Sequence, residues 1–345
     1  MTAEPEILTR PEGGVRFLIL NRPKVINSLN HSMVTAIHSA LRDWENDDDV
    51  TAVVLSGAGE RGLCAGGDIV AIYHSIRADG GSATRQFWYD EYVLNAYIAR
   101  YPKPYVSLMD GIVMGGGVGV SAHANTRVVT DTSKVAMPEV GIGFVPDVGG
   151  TYILSRAPGN MGLHAALTGA PFSGSDAVAM GFADHYVPHT ALDDFTQSIV
   201  DDGVDAALKQ HGVAPPASEL VTQRNWIDEC YAGETVSDIV AALRGHDAGP
   251  ANDAANLIAT RSPTMASVAL EAIRRAAQLE TLEDVLRQEY RVSCATLSHP
   301  DHEEGIRAQV IDKDRDPQWS PSSLSAVTAD DVEAFFAPVD NDLPL

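Results

Sequence analysis

Glycines that bare the backbone, and two carboxylates that follow them, are the parts of this 345-residue chain that could do chemistry. The run Met109-Asp-Gly-Ile-Val-Met-Gly-Gly-Gly-Val-Gly119 is followed by Met137-Pro-Glu-Val-Gly-Ile-Gly-Phe-Val-Pro-Asp-Val-Gly-Gly150, so Glu139 and Asp147 stand eight residues apart. Gly115-Gly116-Gly117 opens a helix whose first N–H groups have no partner within it. Such groups stabilise negative charge. In acyl chemistry the charge that counts is the oxygen of a carbonyl under attack. A second glycine turn, Cys64-Ala-Gly-Gly-Asp68, could supply a second donor. Either turn alone is equally an ordinary strand-to-helix connection. Glu139 by itself also fits an early-helix carboxylate, and Asp147 a turn former.

The elements that must carry these turns alternate. The apolar runs at 15–20, 52–56 and 105–109 and the stretch 127–130 read as strands. Helical spacing of Met33, Ile37 and Leu41 marks a helix over 32–44. That alternation predicts an α/β unit with its glycine turns at strand ends, where such folds place ligands. The pattern breaks at His211-Gly-Val-Ala-Pro-Pro-Ala-Ser218 and then turns mostly helical, which divides the chain into 1–210 and 211–345. Ser262-Pro263 is a helix start, with Met265, Val268, Ala269 and Ile273 on one face, and another helix is expected over 282–297.

Hydrophobic residues form 45% of the chain, enough for a sizeable core, and no run approaches the ~20 apolar residues of a membrane span. A formal net charge of -23 argues against nucleic acid or an anionic membrane as partner. Residues 1–10 lack a basic start with an apolar core and lack Arg-rich character, so the cytoplasm is the expected compartment. Cys64, Cys230 and Cys294 are scattered, with no spacing that suggests a disulfide framework or a zinc site. Cys64 has no local base to lower its pKa and reads as a small buried hydrophobe.

The two glycine turns resemble those of the crotonase (enoyl-CoA hydratase/isomerase) superfamily, in which each gives one N–H to an oxyanion hole around the thioester carbonyl of an acyl-CoA. That resemblance implies a spiral of ββα units, here with a helical C-terminal extension, and assigns the donors to Gly67 and Gly116. It also implies substrate contacts at Gly66, Asp68 and Lys24. Lys24 and Arg22 lie in Asn21-Arg-Pro-Lys-Val-Ile-Asn-Ser-Leu29, a segment that in the superfamily helps hold the nucleotide end of CoA.

Hydratases of this superfamily work with two glutamates, one just after the GGG turn and one in the Pro-Glu segment. This chain has Gly119 at the first position and Glu139 at the second, with Asp147 added. Syn hydration needs a carboxylate pair around its water, so the departure is informative. Glu139 with Asp147 is similar to the 3-hydroxyisobutyryl-CoA hydrolase branch. So are Phe87-Trp-Tyr-Asp-Glu-Tyr-Val-Leu-Asn95, Arg261-Ser-Pro-Thr264, Glu289-Tyr-Arg291, His302-Glu-Glu-Gly-Ile-Arg-Ala308 and Ile311-Asp-Lys-Asp-Arg-Asp-Pro-Gln-Trp319. The resemblance implies an acyl-CoA thioester hydrolase in valine catabolism, with Glu139 and Asp147 catalytic, Glu91 lining the acyl pocket, and no metal or cofactor beyond the CoA of the substrate. Whether Glu139 attacks directly or as a general base stays open, as does assembly into a homo-oligomer. The alternatives are a hydratase or isomerase of the same fold and a non-catalytic acyl-CoA-binding protein.

Overall fold

The computed structural model describes residues 4–345, so the first three of the N-terminal residues read above lie outside the described residues. Two compact units divide the chain, and each takes several segments. The first holds the chain up to Gly67, Val93–Val135 and Phe172–Glu219; the second holds Asp68–Tyr92, Ala136–Pro171 and Leu220–Leu345. A single cut near residue 210 therefore does not describe the compact units. The reason is packing: the helices Ile69–Asp79, Gly150–Leu154 and Met161–Thr168 and the turn Glu139–Ile142 all contact helices from beyond residue 260. The helical character expected for 211–345 is borne out.

In the first unit, strands β1 (Ile7–Glu12), β2 (Val15–Leu20), β3 (Ala52–Gly57), β4 (Tyr105–Met109), β5 (Ile112–Met114), β6 (Thr126–Val129), β7 (Lys134–Ala136), β8 (Phe172–Ser173) and β9 (His185–Tyr186) form two sheets. The larger has the order β1-β2-β3-β4-β6-β9 and the smaller β5-β7-β8. Only the β1–β2 pair of the larger sheet is antiparallel. Every residue of β4 and Ala52 to Leu55 of β3 are buried, as expected of central parallel strands covered on both faces. The register sets Phe17 beside Val54 and Val54 beside Val106. Phe195 and Ile199 of the helix Leu192–Asp202 join them in the core. Each such side chain contributes roughly 1.5–3 kcal/mol by leaving water.

In the second unit, the segment starting at Arg261 behaves as its sequence suggested. Ser262 caps the helix Pro263–Ala276 by accepting from Met265 N, and its hydroxyl donates to Asp301 Oδ2 at 2.5 Å. Arg261 reaches back to the carbonyl of Thr168. The helix Leu282–Thr296 is capped by Thr281, which accepts from Asp284 N. His302 lies in a stack with Phe144, 4.7 Å between centroids, and with Trp88. That stack gives the aromatic and histidine positions of two sequence segments a packing role.

Candidate active site

The glycine turns meet backbone to backbone in the first unit. Cys64 N donates to Ile112 O, Met114 N returns a bond to Cys64 O at 2.9 Å, and Leu29 N donates to Gly66 O. Neither the Gly67 nor the Gly116 N–H is used in these ties. Gly66 has φ +104°, and a Cβ there would sit 3.3 Å from Met114 O and 3.8 Å from Gly116 N. A side chain is thus excluded by conformation and by the neighbouring turn. Gly115, with φ 48° and ψ -120°, lies just ahead of the helix Gly116–Ser121, so Gly116 is its first residue and has no intrahelical acceptor. The two N–H groups named from sequence therefore belong to two turns in contact. Gly119 lies inside the same buried helix.

The segment Asn21 to Leu29 divides into an anchor and an exposed turn that carries Lys24. Asn27, fully buried with φ +53°, donates to the carbonyls of Ala58 and Leu63 and accepts from Arg22 N. Arg22 pairs with Glu6 and donates to Ser28 O, so it is a structural tie. Lys24 is exposed on the turn Pro23–Val25, and its carbonyl accepts from Arg61. Asp68 serves as the cap of the helix Ile69–Asp79, accepting from Ala71 N at 3.2 Å.

The carboxylates cluster in the second unit. Glu91, Glu139, Asp147 and Glu289 are 2%, 5%, 5% and 1% exposed. Glu139 begins a tight 3-10 turn closed by Gly143, whose φ is +69° and whose Cβ would fall 1.9 Å from Asp301 O. Asp147 precedes two residues in the left-handed region, Val148 at φ +53° and Gly149 at φ +78°. For a β-branched residue that conformation is strained, and it needs a brace. Glu289 is the brace: it accepts from Gly149 N at 2.6 Å, Thr151 N at 2.9 Å and the Thr151 hydroxyl at 2.5 Å. Tyr92 donates to Asp147 Oδ2 at 2.6 Å and lies 2.8 Å from Ser293 Oγ. Glu91 Oε1 and Glu139 Oε2 are buried with no hydrogen bond among the described residues.

Burial lifts all four carboxyls. Glu91 and Glu139 are pushed well above the ordinary range by burial and then by the charge of Asp147. Asp147 is pushed up to about 7 by burial, against the donated bond from Tyr92. Burial takes Glu289 up to about 8, opposed by its three donors. The folded protein therefore holds protons near neutrality that the unfolded chain has lost, so stability falls as pH rises through this window. His164 and His302, held near 4 and 3 by burial, are already neutral in the folded protein, and the residual histidine charge that the unfolded chain loses above about pH 6.5 is a smaller, opposing change, leaving the acids to set the sign. The melting temperature is expected to drop between pH 6.5 and 8, each acid contributing up to ~1.4 kcal/mol per pH unit. Asp147→Asn should flatten the drop. A melting temperature that rises over that interval would contradict the burial of these acids.

The enoyl-CoA hydratase/isomerase family profile matches residues 15–336. The chain belongs to that family. Within it, the chain is similar to the protein named 3-hydroxyisobutyryl-CoA hydrolase, mitochondrial, of Danio rerio, at 38% identity over 98% of this chain and 91% of that one. The protein of the same name from Homo sapiens is 34% identical over 97% and 89%. Among solved structures, one named as a carnitinyl-CoA dehydratase of Mycobacterium thermoresistibile is 67% identical, with a TM-score of 0.96 over 99% of this chain and 98% of that one. Another, named as an enoyl-CoA hydratase of Rhodobacter sphaeroides 2.4.1, is 38% identical with a TM-score of 0.92 over 97% and 98%. The crotonase-type α/β fold expected from the glycine turns is borne out.

Against that family background, three residues of the carboxylate cluster had no role in the reading from sequence: Tyr92, Glu289 and Ser293. Glu289 and Ser293 left a trace. On the helix Leu282–Thr296 the buried positions include Leu282, Val285, Leu286, Glu289, Val292, Ser293 and Thr296, so a carboxylate stands on the apolar stripe. Tyr92 left none, since an aromatic beside other aromatics reads as core. No helix among the described residues is long and apolar enough to cross a membrane.

Proposed function

We propose that this protein hydrolyses a 3-hydroxyacyl-CoA thioester, with 3-hydroxyisobutyryl-CoA as its leading substrate and 3-hydroxyisobutyrate and free CoA as products, a step of valine breakdown. One observation carries the choice of reaction. Gly119 removes the carboxylate that a hydratase would use, while Glu139 and Asp147 are both buried, both raised in pKa and mutually repelling. In this reading the Gly67 and Gly116 N–H groups hold the thioester oxygen as it gains charge. Glu139 and Asp147 carry the attack and its protons. Water's oxygen ends on the acyl carbon, the carbon–sulfur bond breaks, and the thiolate leaves with a proton as CoA. Attack by Glu139 itself would pass through a mixed anhydride, and one turnover in ¹⁸O-water separates the two routes by labelling Glu139 only in that case.

The exposed Lys24 ammonium is assigned to the CoA phosphates, and Glu91 to the substrate hydroxyl. The reaction draws on no metal or redox group. The animal relatives are named mitochondrial, and the cytoplasmic expectation rests on the composition of the first ten residues alone. Homo-oligomer formation is a separate proposal, tested by light scattering on a sizing column.

A second reading is favoured by the 67% identity to a structure named as a dehydratase. Loss of water from a hydroxyacyl-CoA would leave the thioester intact. The deciding experiment offers 3-hydroxyisobutyryl-CoA and a carnitinyl-CoA ester separately, reading free thiol and enoyl absorbance. Thiol from the first substrate is the expected result. Enoyl product without thiol from either would overturn the hydrolase reading.

A further inference from the structure

We infer that Tyr92, held by Ser293, is a positioning residue that orients Asp147 and favours its charged form. This rests on the reading above that Asp147 acts in the reaction. The three side chains are buried, at 0% exposure for Tyr92 and Ser293 and 5% for Asp147. A phenol has a single hydrogen. At 2.6 Å from Asp147 Oδ2 that hydrogen belongs to the carboxylate, so across the 2.8 Å contact Ser293 must donate and Tyr92 accept. The chain of bonds has one direction, from Ser293 through Tyr92 to Asp147. It ends on Oδ2 of Asp147 and fixes the plane of that carboxylate.

The groups facing Asp147 are all acids or this phenol. Glu91 comes from the Tyr92 helix, Glu139 from the tight turn, and Glu289 from the helix that carries Ser293. Four buried carboxyls cannot all be charged. A hydrogen bond donated to the charged form favours that form, and Asp147 is the acid that receives it from Tyr92. Glu91 and Glu139 each keep one buried oxygen with no hydrogen bond among the described residues. The phenol itself stays protonated, since burial and the Asp147 charge push it far up. The arrangement separates two acids that receive donated hydrogen bonds, Asp147 from Tyr92 and Glu289 from the turn it braces, from Glu91 and Glu139.

The test is the pH profile of thiol release. Tyr92→Phe should move the acid limb of kcat/KM upward by about 1–2 pH units, the equivalent of one hydrogen bond lost from a charged group. The rate on the alkaline side should return towards the wild-type plateau. A merely structural role would lower the plateau and leave the limb where it is, and that outcome overturns the inference. If Tyr92→Phe does not fold, 3-fluorotyrosine placed at position 92 makes a stronger donor of nearly the same size. The limb should then shift to lower pH, and an unmoved limb overturns the inference equally. Asp147→Asn is measured alongside. Full thiol release from Asp147→Asn would overturn the reading beneath, whereas a dead Asp147→Asn with an unmoved Tyr92→Phe limb removes only the role of Tyr92.

Discussion

Glu139→Gln should cut thiol release by about 10²–10⁴-fold and leave binding of the CoA ester in place. The amide has the shape of the acid but neither attacks an acyl carbon nor takes a proton from water. Glu139 sits at the start of the 3-10 turn that Gly143 closes, 5% exposed, with Oε2 unpartnered. No hydrogen bond that holds the fold passes through that oxygen, so the substitution takes none away. Removal of a carboxyl that burial has pushed far up also leaves stability near pH 8 unharmed or improved. The measurement pairs a thiol-reagent assay with calorimetric titration of a non-hydrolysable thioether analogue of the substrate. Unchanged affinity with collapsed turnover is the expected pattern. A variant that turns over at the wild-type rate would remove Glu139 from the reaction.

Glu289→Ala is expected to damage stability and rate together, through a residue that is assigned no contact with substrate. Its carboxylate accepts two backbone N–H groups, of Gly149 and Thr151, and the Thr151 hydroxyl. Both N–H donors are buried, and each costs roughly 1–3 kcal/mol if left unpaired. Relief from burying a carboxyl offsets part of that loss. The larger consequence falls on Asp147, because Val148 keeps its strained φ of +53° only while the turn is braced. Urea unfolding should show a lower midpoint, and thiol release measured where both proteins are folded should also fall. A midpoint and rate both equal to wild type would show that the turn needs no brace.

Much of the architecture was legible because it follows from short-range chemistry. The strands at 15–20, 52–57 and 105–109 are apolar runs of the right length, and Ser262-Pro263 is a helix start that the structure uses as one. The glycine turns were legible for the same reason, since glycines at a strand end announce a backbone surface. Asn27 was not. Its value lies in tying residues 58–63 to the Arg22 turn, and no local pattern marks a long-range anchor. The linear division at residue 210 reflects a change in composition, whereas packing draws 68–92 and 136–171 to the C-terminal helices. Asp68 also caps the helix that begins at Ile69, a local role that comes from its spacing to Ala71.

The brace on the Asp147 turn also bears on the order in which the molecule assembles. Glu289 lies 138 and 140 residues beyond the Thr151 and Gly149 that it holds, and the Tyr92–Ser293 contact spans 201. Closing loops of that length carries an entropic cost that local structure does not repay, so such contacts form late. During synthesis the first sheet can pair long before residue 289 leaves the ribosome, but Asp147 cannot be held. The nascent chain can therefore form its first sheet before its carboxylate cluster. Proteolytic loss of the segment beyond residue 280 would take away both the brace on the Asp147 turn and the hydroxyl that holds Tyr92.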